Sequence, residues 1–159
     1  MGALLTLAFL LPIFWFKSPK EKTDQAAWEQ LRTVFEGRGI AVLRDHPRCQ
    51  ERNLYGLYVR DSHQVVVCPR GDQSSTLRHE GWHAVQSLCL NNRDWLNSET
   101  IDRRLTATDR KELEVLVAPD RWNREAEARA MANLNVNDYL QELKRACMPK
   151  DPSATPKLP

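Results

Sequence analysis

Four cysteines, Cys49, Cys68, Cys89 and Cys147, constrain the fold of this chain more than any other feature. An even count behind an export-like N-terminus points to two disulfides, for which three pairings are open. Residues 54–59 (LYGLYV) and 63–68 (HQVVVC) are rich in aromatic and β-branched residues, and Arg60, Asp61 and Ser62 between them read as a turn. That pattern predicts a β-hairpin, and Cys49 and Cys68 flank it. Cys89 and Cys147 fall near the ends of two predicted helices, which a bridge would staple together. The expected pairing is therefore 49–68 with 89–147. A structural zinc site is a weaker use of these residues, because no two have the close spacing of zinc fingers or ribbons. The remaining reading is four buried free thiols in a cytosolic protein.

The N-terminus bears on the same question. Residues 2–16 (GALLTLAFLLPIFWF) carry no charge, and Lys17, Lys20 and Lys22 follow. Fifteen apolar residues fall short of the roughly 20 needed for a comfortable span, but suit a signal-peptide core or short anchor. No Lys or Arg precedes the run, and FKSPKEK is a poor cleavage site. The expectation is an exported chain, secreted or membrane-anchored outside the cytoplasm, with residues 1–16 as signal peptide or anchor. The last eleven residues, PKDPSATPKLP, carry four prolines and read as a flexible tail, 149–159.

Between them lies one domain, 21–148, large enough for a single core. The net charge is +2 and no basic block occurs, so nucleic-acid binding is not expected. Helical spacing of Ala26, Ala27, Leu31, Val34 and Phe35 predicts a helix over 21–36, closed by Gly37 and Gly39. Residues 40–43 form a short strand candidate. After the hairpin, Ser74 or Ser75 is expected to cap a helix reaching about Leu90. Residues 93–108 look irregular. Further helices are expected at 109–117, entered through Thr108, at 121–134, capped by Asp120, and at 137–147. The fold class is α+β: a small antiparallel sheet or hairpin packed with four to five helices. Trp28, Trp82, Trp95 and Trp122 read as packing residues before they read as a binding surface, and Arg44–Arg52 reads as a solvated loop.

The chemistry lies in His79-Glu80-Gly81-Trp82-His83, an H-E-x-x-H sequence. On a helix, residues four apart sit one turn apart on nearly the same face, so both imidazoles can reach one metal ion. The residue after the first histidine can bring its carboxylate to a water molecule on that ion. Leu77, Gly81, Ala84, Val85 and Leu88 form an apolar stripe, while His79, Glu80 and His83 lie off it. Gly81 is a poor helix former whose missing side chain would admit a close neighbour. No histidine follows His83, the others being His46 and His63, so a carboxylate is the alternative third ligand. Glu125 and Glu127, in the alanine-rich segment 124–130, are the candidates. They point about 200° apart on a helix, so only one can bind.

An H-E-x-x-H helix followed by a glutamate-bearing helix resembles the gluzincin class of zinc metallopeptidases, over about residues 74–134. The hairpin ahead of the first helix also resembles the zincin arrangement. In that class the second helix often reads E-x-x-x-D, with the first glutamate on zinc; here Glu125 aligns with it, and Arg129 stands where the aspartate commonly orients a histidine. The resemblance implies a small zincin-like domain binding Zn²⁺ through His79, His83 and Glu125, with Glu127 less favoured. It implies peptide hydrolysis with Glu80 as general base and a peptide or protein as substrate. The class often uses Tyr, His or Arg at the oxyanion; Tyr139 and Arg121 are the candidates here. The strand 63–68 could offer its edge to an extended peptide.

Two other functions stay open. One is a zinc-stabilised, catalytically inactive envelope binding module, for which Glu80 would be dispensable. The other is a metallo-amidase acting on a non-protein substrate.

Overall fold

The computed structural model describes residues 19–148; the apolar N-terminal segment and the Pro-rich tail lie outside the described residues. The described chain is α+β, with six α-helices and one three-stranded sheet. The order is α1 (Pro19–Glu36), β1 (Ala41–Leu43), β2 (Gly56–Val59), β3 (Gln64–Val67), α2 (Gln73–Leu88), α3 (Ser98–Arg104), α4 (Ala107–Leu116), α5 (Trp122–Ala132) and α6 (Val136–Ala146). None of these helices is long and apolar enough to cross a membrane.

The sheet differs from the antiparallel one expected. Its order is β1-β3-β2, with β1 parallel to β3 and β2 antiparallel to β3. β3 is therefore the central strand, paired on both sides, and the edge expected to receive a peptide is occupied. The cause is legible in Val65, Val66 and Val67, all fully buried. A continuous apolar run without alternation marks a strand covered on both faces. The free edge near α2 belongs to β2.

Both disulfides form as expected. Cys49 pairs with Cys68 across 5.3 Å between Cα atoms, and Cys89 pairs with Cys147 across 4.8 Å. The second bridge ties the C-terminus of α2 to that of α6.

Helix boundaries follow their caps. α2 starts one turn earlier than expected, because Asp72 rather than Ser74 or Ser75 accepts from the Ser75 N–H at 2.9 Å. α4 is entered through Thr106, not Thr108, in a reciprocal capping box with Asp109. Asp120 lies in a 3₁₀ turn, Pro119–Arg121, and α5 begins at Trp122 without a side-chain cap. α3 occupies part of the stretch expected to be irregular. Asn97 caps it through the Thr100 N–H, Glu99 and Arg103–Arg104 suit its two ends, and Ile101 alone anchors it in the core.

Two cores share α5. The larger one packs Trp28, Leu31 and Phe35 of α1 against Val65, Leu77, Trp82, Tyr139 and Leu143. The smaller holds Ile101, Leu105 and Leu113 from the α3–α4 side. Ala128 and Met131 of α5 face the first, Ala126 and Ala130 the second. The alanines keep α5 thin enough to lie between them. The apolar stripe of α2 is wider than expected: Trp82 joins the core, whereas Leu88 at the helix end is 38% exposed. Trp28 and Trp82 are core residues and Trp95 is partly buried against the same core, as expected of packing residues.

Candidate metal centre

α2 runs beneath the sheet and turns His79 and His83 toward α5. Close approach at Gly81 makes this possible, because a Cβ there would overlap the ring of Phe35 in α1. The two imidazoles meet edge to face, centroids 4.8 Å apart. α5 brings in Glu125, whose Oε2 lies 3.5 Å from His79 Nε2 and 3.4 Å from His83 Nε2. The three donor atoms lie within 4.8 Å of one another. Ligands at roughly 2.1 Å from a tetrahedral ion stand about 3.4 Å apart; the two separations from Glu125 match that spacing, and the group could hold a metal ion. Three protein donors would leave a further coordination position for a small ligand.

Of the two candidate glutamates, Glu125 joins the histidines and Glu127 does not. Glu127 is 1% exposed and points to the opposite side of α5. Its Oε1 accepts from Trp82 Nε1 at 2.7 Å and Gln86 Nε2 at 3.0 Å. Its Oε2 accepts from the backbone N–H groups of Trp95 and Leu96 at 2.7 and 2.9 Å. Four donors on one carboxylate compensate the burial of its charge.

Glu127 also reaches the centre through Gln86. The Gln86 amide nitrogen donates to Glu127 and to the Arg124 carbonyl at 3.1 Å, both pure acceptors. The amide oxygen must then be the atom that faces His83 Nδ1 at 2.9 Å. Nδ1 therefore carries hydrogen, and Nε2 is the ring atom left to face Glu125 and a metal. Gln86 thus supplies the orienting contact that Arg129 does not. Arg129 instead pairs with Glu112 at 2.6 Å and Asp109 at 3.5 Å.

Glu80 points away from this network toward β2. A Cβ on Gly56 would fall 2.9 Å from Glu80 Cγ, so the bare glycine lets the strand settle on the carboxylate. Burial pushes Glu80 above the ordinary carboxylate range, against the pull of His79 and His83; the backbone of Tyr58 supplies a hydrogen bond. Glu125 is pushed upward by burial, but the two imidazoles outweigh this and hold it well below the usual range. Burial likewise pulls His83 down, and the Glu125 carboxylate more than offsets it.

Gly56, His79 and Glu80 stand between two open clefts. One, about 350 Å³, runs toward Asp109, Glu112 and Arg129. The other, about 320 Å³, runs past Glu125 and His83 to Tyr58, Arg60 and Arg124. The two candidate oxyanion residues lie elsewhere. Tyr139 is fully buried with its hydroxyl donating to the Arg78 carbonyl at 2.9 Å, and Arg121 is exposed in the 3₁₀ turn. Tyr58 and Arg124, which line the cleft, carried no signal in the sequence because neither belongs to the motif. Gln86 did carry one: it sits three residues after His83, on the same helix face.

Compared with protein-family profiles, with curated proteins and with solved structures, the chain gives no match.

Proposed function

We propose that this chain is a zinc-dependent metallopeptidase of the gluzincin kind, built on a minimal zincin-like domain and working outside the cytoplasm. The observation that carries the reading is the meeting of His79, His83 and Glu125 within 4.8 Å of one another, with Glu80 beside them between two clefts. The two disulfides suit an oxidising compartment and hence export.

A bound zinc ion would supply Lewis acidity, acidifying a water molecule and polarising the scissile carbonyl. Glu80 accepts the proton of the attacking water and delivers it to the leaving amine. Its burial suits this work, because an upward-shifted carboxylate is a better base near neutral pH. The Gln86 carbonyl oxygen holds His83 in the ligating orientation. The open edge of β2, which begins at Gly56 between the clefts, offers backbone groups to an extended peptide.

The test is Glu80→Gln. Zinc-loaded wild type should cleave members of a mixed peptide library, and the folded, zinc-loaded variant should lose about 10²- to 10⁴-fold in rate. Equal cleavage by the two proteins would refute the assignment. A chain that binds zinc and cleaves nothing would turn the conclusion to the inactive binding module.

A further inference from the structure

The cleft that holds Glu80, His83 and Glu125 is also lined by two guanidinium groups, those of Arg60 and Arg124. Arg124 donates to the Asn92 side-chain oxygen at 2.7 Å and to the His83 carbonyl at 3.2 Å. Arg60 donates to the same Asn92 oxygen at 3.3 Å. Asn92 can hold this place because it sits in the left-handed region, φ 58°, in the turn after α2. Among the described residues neither arginine enters an ion pair, whereas Arg104 and Arg129 do. Burial first, and then the charge of Arg60, pull the Arg124 guanidinium down, against the opposing charges of Glu125 and Glu127. Tyr58 lines the same cleft, with its hydroxyl buried beneath the surface and without a hydrogen-bond partner.

The cleft wall therefore has an excess of donors. The two guanidiniums share the neutral Asn92 oxygen, and Arg124 has the His83 carbonyl besides. Holding two like charges together is unfavourable unless an anion joins them. Guanidinium groups meet a planar carboxylate in a bidentate fork, which gives both strength and orientation.

We propose that Arg60 and Arg124 form a carboxylate-binding subsite beside the metal centre. The ligand is a peptide whose carboxylate, terminal or side-chain, docks there while the adjoining backbone lies against His83 and Glu125. This rests on the hydrolytic reading above, and narrows its substrates to peptides bearing an anionic group a short distance from the scissile bond.

The experiment uses three N-acetylated peptides of one sequence. The first ends in a free carboxylate, the second in an amide, and the third in an amide with glutamate as its last residue. Binding is measured by calorimetry on the zinc-loaded Glu80→Gln chain, which spares the peptide, and turnover on wild type. The free-carboxylate peptide should bind at least about tenfold more tightly than its plain amide, as expected for a charge-assisted contact. That advantage should shrink below about threefold in Arg60→Gln/Arg124→Gln, and Arg124→Lys should recover part of it. Arg60→Gln alone, at an exposed position, gives the same direction without risk to the fold. If the glutamate peptide matches the free-carboxylate one, the subsite stands and takes a side-chain carboxylate. Equal affinity for acid and plain amide, an advantage untouched by the arginine variants, or no binding of any peptide overturns the proposal. Cleavage of both ends alike would keep the hydrolytic function and remove the subsite. A carboxylate preference without cleavage would do the reverse.

Discussion

Replacing Glu127 with glutamine removes one charge and adds two hydrogens, with almost no change in shape. The consequences follow from the pairing of donors. Each Glu127 oxygen accepts from two N–H groups: Trp82 Nε1 and Gln86 Nε2 on one side, the backbone of Trp95 and Leu96 on the other. A glutamine amide must turn its NH₂ to one of these pairs, where it meets donors. The backbone pair cannot rotate away. The side-chain pair can relax only if Gln86 flips, which would present its NH₂ to His83 Nδ1 and reverse the ring's hydrogen placement. Either way two charge-assisted hydrogen bonds are lost. At about 1.5–3 kcal/mol each, partly offset by no longer burying a charge, the net cost is about 3 kcal/mol. For a folded unit of this size that corresponds to a fall in Tm of roughly 12 °C. Loss of the contact that orients His83 should also weaken zinc binding about 10- to 100-fold. Calorimetric melts of both proteins, with competition titrations against a chelator of known affinity, read the two effects separately. A Glu127→Gln protein within about 1 kcal/mol of wild type, binding zinc equally well, would refute the reasoning.

Gly81→Ala should be destabilising by about 1–2 kcal/mol in denaturant melts, because overlap with Phe35 outweighs the gain of about 1 kcal/mol in helix propensity, and Phe35→Leu should recover part of the loss. The two disulfides should differ: opening Cys89–Cys147, which spans 58 residues, should cost about 4 kcal/mol, and opening Cys49–Cys68, which spans 19, about 3, as measured on the paired Cys→Ser variants. Burial pushes the Asp109 carboxyl up, but hydrogen bonds from Thr106 and Asn133 and the charge of Arg129 hold it below its ordinary value. Its folded pKa is therefore lower than its unfolded one, so it stabilises the fold above about pH 4 and ceases to do so as pH falls through the folded value. Asp109→Asn should flatten that acid limb in unfolding curves taken from about pH 6 down to about pH 3.

The parts of this structure legible in the sequence are those set by local periodicity. Helical spacing brings His79 and His83 to one face, and the 200° rule separates Glu125 from Glu127 even before the choice between them is made. The disulfide pairing was readable because a hairpin brings its flanks together and because Cys89 and Cys147 both terminate helices. Parallel pairing of β1 with β3 was not readable, since three residues carry no pairing signal and the chain reaches β3 only after forming β2. α3 was missed because six polar residues around a single buried isoleucine show no period. The role of Glu127 depends on partners 31 to 45 residues away, so an alanine-rich surface-like helix conceals a buried carboxylate. Arg60, Asn92 and Arg124 come together only through tertiary packing, from the hairpin turn, the end of α2 and the start of α5.

The same connections bear on what a metal would do here. A metal that serves the fold alone is usually enclosed by four protein ligands and ties elements that nothing else holds. In this chain the elements carrying the ligands are already joined. Glu127 fastens α5 to α2 and to the segment leading into α3. The Cys89–Cys147 bridge fastens α2 to α6, and the Cys49–Cys68 bridge fastens the hairpin to the turn before it. Gln86 orients His83 through protein contacts alone. An ion held by His79, His83 and Glu125 would have little folding left to do, and these residues border clefts that Glu80, Arg60 and Arg124 also line. On the proposed reading, three donors beside a buried carboxylate would suit an ion that acts on a ligand entering from solvent rather than one that holds the fold.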